Sequence, residues 1–384
     1  MFIASVMSVV PSHQRIPVLF IANWPNVIKG GQVNLIRLIE RIDRQRFLPV
    51  VAVSREGSLS QRARQINVAV EVLPLTRMEV YRPDAYLTNI LPTMRLKRLI
   101  RTHDIRLIYV DSPGHLLPAW LASRGTEARV VWHAQTSART QLDGLFVRLA
   151  DHIICCSHAA EDRFAPRSVQ LFMVPNCVIC DQFAPKNDQP SAPGTAERGE
   201  TVLLYLGELA SSKGLPELLH VFSLVCKQTE DKITLWIAGK GTWWMEKWLR
   251  ARARQLGIAD RVRWLGYASD PLALLRAADI FVFFSHSEGL SLALLEAMAT
   301  GLPIVASNIP SNVEALAEAG ITVSLKDPSQ AAEILLSLIH DTPRRLTLGR
   351  AARARATEQF PIQRFVSGVE ELFELWGALP AGGE

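Results

Sequence analysis

An apolar strand that runs into a helix flanked by two carboxylates constrains this chain more than any other feature. The stretch is Ser285-His286-Ser287-Glu288-Gly289-Leu290-Ser291-Leu292-Ala293-Leu294-Leu295-Glu296-Ala297-Met298-Ala299, with Asp279 to Phe284 leading in. Glu288 falls in the loop, and Glu296 follows about two turns into the helix. Gly301 and Pro303 then punctuate the chain before a second apolar run, Ile304 to Ala306. Strand, polar loop, helix, strand is a βαβ unit of a parallel sheet. Ligands of such sheets sit at the carboxyl ends of the strands, where helices begin. There the backbone N–H groups of Leu290 to Leu292 favour an anion such as a phosphate. Ionised Glu288 and Glu296 are hydrogen-bond acceptors suited to polyol hydroxyls. Two glutamates at this spacing are common on solvated helices, but a phosphate site beside two carboxylates fits a nucleotide sugar.

The chain has 384 residues, more than one hydrophobic core usually organises. Its 48% hydrophobic and 21% charged residues are ordinary for a soluble globular protein, and no apolar run approaches the roughly 20 residues that span a bilayer. The first ten residues, MFIASVMSVV, lack a basic segment and a small-residue cleavage site, so no signal peptide is expected. Five cysteines include Cys155-Cys156 in an apolar run and Cys177-x-x-Cys180 without a second pair. Structural zinc needs four ligands, so reduced thiols in a cytoplasmic protein are expected, with no metal.

Strand-like runs alternate with amphipathic stretches from Pro17 to Val174 and again from Thr201 to Ser324. Between them the polar, proline-rich Pro185 to Glu200 reads as a linker. The expected organisation is an α/β protein with an N-terminal Rossmann-like domain over 1–186, a linker over 187–200, a second Rossmann-like domain over 201–360 and a C-terminal helix within 361–384. No repeat stands out.

With these motifs in place, the chain resembles the retaining glycosyltransferases of family 4, which have the GT-B architecture of two Rossmann-like domains facing across a cleft. The resemblance implies that the second domain binds a UDP- or GDP-sugar, that Glu288 contacts the sugar hydroxyls, and that Glu296 contacts the ribose. Gly289, Leu290, Ser291 and Leu292 complete this donor loop. Gly30-Gly31 lies between the first strand and a helix from about Gln32 to Ile42, where missing side chains let backbone approach a diphosphate. Trp132-His133-Ala134-Gln135 ends a strand; a lone histidine is commonly structural, but the family's pattern puts His133 beside the donor sugar or the leaving phosphate. In Val174 to Phe183, Cys177 stands where the family has a glycine.

Leu206-Gly207-Glu208-Leu209-Ala210-Ser211-Ser212-Lys213-Gly214 matches a family segment that carries an Arg after its first Gly and a Lys before its second. Lys213 is present, but Glu208 stands at the Arg position. Like charges at about 4 Å repel by about 4 kcal/mol at an effective dielectric near 20. Three arrangements accommodate it: Glu208 turns away while Lys240 of Gly239-Lys240-Gly241 compensates; Glu208 accepts a hydrogen bond from base or sugar; or donor binding is lost and the protein is a degenerate, non-catalytic relative. The first two leave an enzyme with His133, Glu288 and Lys213 as catalytic residues and no cofactor. No Asp-x-Asp occurs, so a metal-held diphosphate is not expected.

The resemblance further implies a front-face reaction in which the leaving phosphate takes the acceptor's proton, with the acceptor a glycan or lipid-linked glycan read by the first domain's loops, Met78 to Pro92 and Ser112 to Pro118. Bacterial surface polysaccharide or lipopolysaccharide assembly is the expected setting. The net charge is +5, with basic clusters at Arg95 to Arg101 and Arg344 to Arg355. Such runs are usually solvated helix faces. Attraction to an anionic membrane surface is the second reading; a nucleic-acid reader is not expected, because aromatic and basic residues do not interleave.

Overall fold

The computed structural model describes residues 15–22, 24–27, 30–76, 87–164, 169–185 and 199–378. The start of the chain, most of the expected linker and most of the Met78 to Pro92 loop lie outside these residues.

Two parallel sheets organise the molecule. The first contains β1 (Ile16–Ala22), β2 (Phe47–Val53), β3 (Ala69–Val72), β4 (Leu107–Val110), β5 (Arg129–Ala134), β6 (His152–Cys155) and β7 (Leu171–Met173) in the order β3-β2-β1-β4-β5-β6-β7. The second contains β8 (Thr201–Leu206), β9 (Ile233–Ala238), β10 (Val262–Gly266), β11 (Ile280–Phe283), β12 (Ile304–Ser307) and β13 (Ile321–Val323) in the order β10-β9-β8-β11-β12-β13. Central strands such as LIYV and IFVF are buried throughout, as strands covered by helices on both faces must be. Each sheet reverses its winding once, between β1 and β4 and between β8 and β11. Those two switch points are where a doubly wound sheet opens a crevice for ligands. The α/β fold of two Rossmann-like units is therefore as the sequence implies.

One apolar cluster joins the domains, running from Leu19, Val110 and Trp132 of the first to Leu292, Met298 and Ala306 of the second. The chain also crosses back. After helix Thr342–Gln359, the N–H of Val178 donates to the Phe360 carbonyl at 2.9 Å, and Ile362 donates to the Val178 carbonyl at 3.1 Å. Helix Ile362–Gly377 then lays Phe365, Val369, Phe373 and Trp376 on the first sheet. Trp376 stacks on His152 with ring centroids 4.3 Å apart.

The two basic clusters have different fates. In Arg344 to Arg355 three arginines are committed to backbone: Arg345 to Leu338 and Ile339, Arg353 to Cys180 and Phe183, Arg355 to Glu314 and Ala315. Those guanidiniums satisfy helix-end and loop carbonyls, which corrects the reading of this run as a uniformly solvated or lipid-facing surface. The Arg95 to Arg101 cluster lies on helix Ile90–Thr102, where Arg95, Arg98 and Arg101 are exposed.

Candidate active site

The β8–β11 switch point gathers the charged residues singled out in the sequence. After β8 the chain turns through Gly207 and Glu208 to Ser211–Lys213, and Gly214 begins helix Leu215–Gln228 in the left-handed region, φ 55°. A side chain at Gly214 would sit 3.0 Å from the backbone of Phe284, so only glycine lets this turn lie against the end of β11. His286 N–H donates to the Ser212 carbonyl at 2.9 Å, which joins the two loops. As a result Lys213 Nζ lies 2.6 Å from Glu288 Oε1, and Ser285 Oγ donates to the same oxygen at 2.8 Å. Both charged side chains stay partly exposed, Lys213 at 22% and Glu288 at 11%.

On the other flank of β8, Gly239 has φ 152°, and a Cβ there would lie 1.7 Å from the Gly207 carbonyl oxygen. Gly207 N–H donates to Ala238, and Leu209 N–H to the carbonyl of Lys240, so the two turns run side by side. Glu208 and Lys240 are both exposed on this pair of turns. Beneath them the buried Tyr205 hydroxyl donates to the Glu208 carbonyl at 3.2 Å. Burial raises the Tyr205 pKa well above its ordinary value, and the negative charges of Glu288 and Glu208 raise it further.

The first domain presses directly on the loop from Glu288 to Ser291. Three successive carbonyls accept from it: Glu288 from Ser137 at 2.6 Å, Gly289 from Ser157 at 2.8 Å and Leu290 from Asn176 at 2.8 Å. A Cβ at Gly289 would lie 2.4 Å from the Gln135 carbonyl and 2.8 Å from Cys156 Sγ, so this contact requires glycine. The Ser291 hydroxyl caps helix Leu292–Thr300 by accepting from the Leu294 N–H.

Gly30 and Gly31 do not form a separate turn but are the first residues of helix Gly30–Arg41. The start of that helix meets the start of Leu292–Thr300, with a Cβ on Gly30 lying 3.5 Å from Leu292 Cγ. Two helix amino termini thus converge from opposite domains, and their dipoles favour an anion. Gly31 faces the Asp111 carboxylate, which also accepts from Gln32 Nε2 at 3.2 Å. Asp111 follows β4 at the first sheet's switch point, a carboxylate directly after an apolar strand. Sequence reasoning passed it over, although that position was the available signal.

Glu296 is 8% exposed and is paired with Arg37 of helix Gly30–Arg41 at 2.9 Å. Burial raises its carboxyl pKa, against the lowering effect of Arg37.

His133 does not reach the cleft. It is wholly buried on β5, with Nδ1 hydrogen-bonded to the Tyr109 hydroxyl and its ring stacked on Phe365 of the C-terminal helix. Burial lowers its pKa to about 3, so the imidazole is neutral. The expected contact with sugar or phosphate is thus corrected: the side chain points to the helix-covered face of the sheet. Cys177 and Cys180 also part company, Cys177 facing Asn34 and Cys180 the carbonyls of Val178 and Ala356.

Comparison with known proteins gives a consistent picture. Residues 188–355 match the family described as glycosyl transferases group 1, and residues 28–182 match glycosyltransferase family 4. A glycogen synthase of Mycobacterium tuberculosis is 29% identical over 240 residues, 60% of this chain and 56% of that protein. The chain thus spans little more than half the length of that relative. An O-antigen chain mannosyltransferase B of Escherichia coli is 28% identical over 278 residues, covering 70% of this chain and 67% of its own. Among solved structures, Anabaena HepE in complex with UDP and glucose superposes with a TM-score of 0.77 at 20% identity, over 94% of this chain and all of that one. That likeness is one of fold, the GT-B arrangement.

Proposed function

Because the chain belongs to the family-4 type of glycosyltransferases, we propose that it transfers a sugar from a nucleoside-diphosphate sugar to an acceptor hydroxyl, with retention at the anomeric carbon and without a metal ion. The observation that carries this reading is the convergence of two helix starts, at Gly30 and Leu292, beside the Lys213–Glu288 pair. A diphosphate seated there would draw Lys213 away from Glu288 and free that carboxylate for sugar hydroxyls. In the reaction the bond from the anomeric carbon to the phosphate oxygen breaks, the acceptor oxygen bonds to the same face, and its proton passes to the leaving phosphate. Lys213 and the helix dipoles stabilise the charge growing on the diphosphate. Glu296 holds the ribose, and Asp111 on the facing switch point orients the acceptor hydroxyl.

A bacterial surface glycan or its lipid-linked intermediate is the acceptor class we favour, with the protein in the cytoplasm and peripheral at the membrane. Support comes from helix Ile90–Thr102. There Ile90, Leu91 and Met94, with Leu87 just ahead of the helix, are each more than half exposed beside Arg98 and Arg101, and the helix contains no acidic residue.

The experiment is thermal stabilisation by UDP, GDP, ADP and their sugars with EDTA present, native chain against Glu296→Ala. We expect one base to stabilise the native chain and to lose its effect in the variant. Nucleotide release that rises only when an acceptor glycan is added would then establish transfer. No stabilisation by any nucleotide would favour the non-catalytic reading, with Glu208 as its cause.

A further inference from the structure

We propose that helix Trp243–Gln255 of the second domain is a membrane-interface face that seats on an anionic phospholipid surface. The helix buries Met245, Leu249 and Ala253 and turns the opposite side outward. That side carries Trp243 at 74%, Trp244 at 56% and Trp248 at 47% exposure. Lys247 and Arg254 are exposed on the same side, four and eleven positions after Trp243 and therefore in line with it. The sole acidic residue of the helix, Glu246, is turned back to accept from the Gly241 N–H at 3.1 Å. The outward face thus combines indoles with cations and presents no carboxylate of its own. Gly239 N–H donates to the Gly266 carbonyl, which brings the half-exposed Tyr267 to the same end of the sheet.

Indoles carry an apolar body and a polar N–H and favour the boundary between lipid headgroups and acyl chains, and flanking cations add attraction to anionic headgroups. Two other occupants fit less well. A second copy of the chain paired through this face by a twofold axis would set the cationic face of Lys247 and Arg254 against an identical cationic face. A glycan would stack on open indole faces, yet the Lys247 ammonium lies over the Trp243 ring, 5.6 Å from its centroid. The helix begins directly after the Gly239–Gly241 turn, at the carboxyl end of β9, so the face borders the cleft. This inference does not depend on the transfer reaction.

The test is flotation of the full chain with vesicles of phosphatidylglycerol and phosphatidylcholine, against pure phosphatidylcholine, using lipids brominated on the acyl chain to quench tryptophan. The native chain should bind the anionic vesicles and be quenched. The combined Trp243→Ser, Trp244→Ser and Trp248→Ser variant should bind about tenfold less tightly, with most quenching lost. A Lys247→Glu, Arg254→Glu variant keeps every indole and should lose the preference for anionic lipid. Leu91→Ser, Met94→Ser, measured in parallel, separates the first domain's helix, and nucleotide-induced thermal shifts report on the active site independently. Retention of native binding and quenching by the triple variant would overturn the proposal. So would equal binding of the native chain to neutral vesicles, or a loss confined to binding of soluble oligosaccharide.

Discussion

Arg37 and Glu296 form a buried ion pair that exists only because the two domains meet. One guanidinium nitrogen lies 2.9 Å from the carboxylate, while another donates to the Cys177 carbonyl of its own domain at 3.3 Å. The guanidinium is thereby fixed to the first domain and reaches into the second. Glu296 accepts from Arg37 through Oε1, and the proposed ribose contact would fall to its second oxygen.

Replacing Arg37 by Leu should therefore destabilise the chain by about 3 kcal/mol, because it leaves a buried carboxylate without its partner. It should also weaken nucleotide binding, since burial without Arg37 drives Glu296 toward its protonated form. Urea unfolding of Arg37→Leu, Glu296→Leu and the double variant measures the coupling. A double variant more stable than Arg37→Leu alone is expected; additive losses would show that the two side chains do not interact.

Glu208 sets a second prediction. It is exposed on the turn that the family's pattern assigns to a diphosphate-binding Arg. If its charge faces the phosphates, Glu208→Arg should tighten nucleoside-diphosphate binding about tenfold, a change of about 1.4 kcal/mol. Titration calorimetry with the stabilising nucleotide reads this directly. Unchanged affinity would place the side chain away from the diphosphate, and weaker binding would give it a direct role with base or sugar.

Gly239→Ala tests how the site loops are held. The residue has a φ that side chains rarely adopt, and the added Cβ would overlap the Gly207 carbonyl. The turn must open, at a cost of about 3 kcal/mol. A large fall in the urea midpoint is expected, with weaker nucleotide binding, because the Gly207–Glu208 turn moves with it. A midpoint equal to the native one would mean that the turn relaxes without strain.

How much of this was legible depends on which forces act locally. The strands could be read because runs such as Val130 to Trp132 and Ile280 to Phe283 are apolar and bounded by polar turns. Lys213 and Glu288 could be read because each precedes a glycine in the loop that joins a strand to the next helix. Arg37 could not, since one arginine on an amphipathic helix looks like any solvated residue until the other domain docks. His133 misled for a related reason. In a strand buried on both faces, sequence alternation does not say which face a side chain takes, and β5 turns His133 toward the C-terminal helix rather than the cleft. The basic run near Arg350 misled because helix-end carbonyls, which hold Arg345, Arg353 and Arg355, are invisible in sequence.

The returning helix supports the first domain from outside it. Phe365, Val369, Phe373 and Trp376 are nearly or fully buried against the first sheet. Full burial of each large apolar side chain stabilises by roughly 2 kcal/mol. Truncation after Ala356 should thus expose that face and lower the thermal midpoint by more than any single site substitution. A truncated chain with native thermal stability would show that the helix is dispensable.

Acid stability carries the imprint of two desolvated histidines, His133 fully buried and His152 partly so. Burial lowers His133 to about 3 and His152 to about 4, below the ordinary value near 6.5 in an unfolded chain. Between those limits the unfolded state binds protons that the folded state excludes, so stability falls as pH drops below about 6.5. Each histidine contributes a slope of at most about 1.4 kcal/mol per pH unit, and the loss levels off once the folded imidazole itself protonates. Urea midpoints of the native chain and of His133→Gln between pH 4 and 7 should show the variant, whatever its absolute stability, with a markedly shallower decline. His152, stacked on Trp376, and carboxylates whose pKa is held down by their partners, Asp143 beside Arg163 among them, supply the slope that is left. An undiminished slope in His133→Gln would mean that His133 gains its proton without unfolding, and that its burial between Tyr109 and Phe365 is less complete than the structure describes.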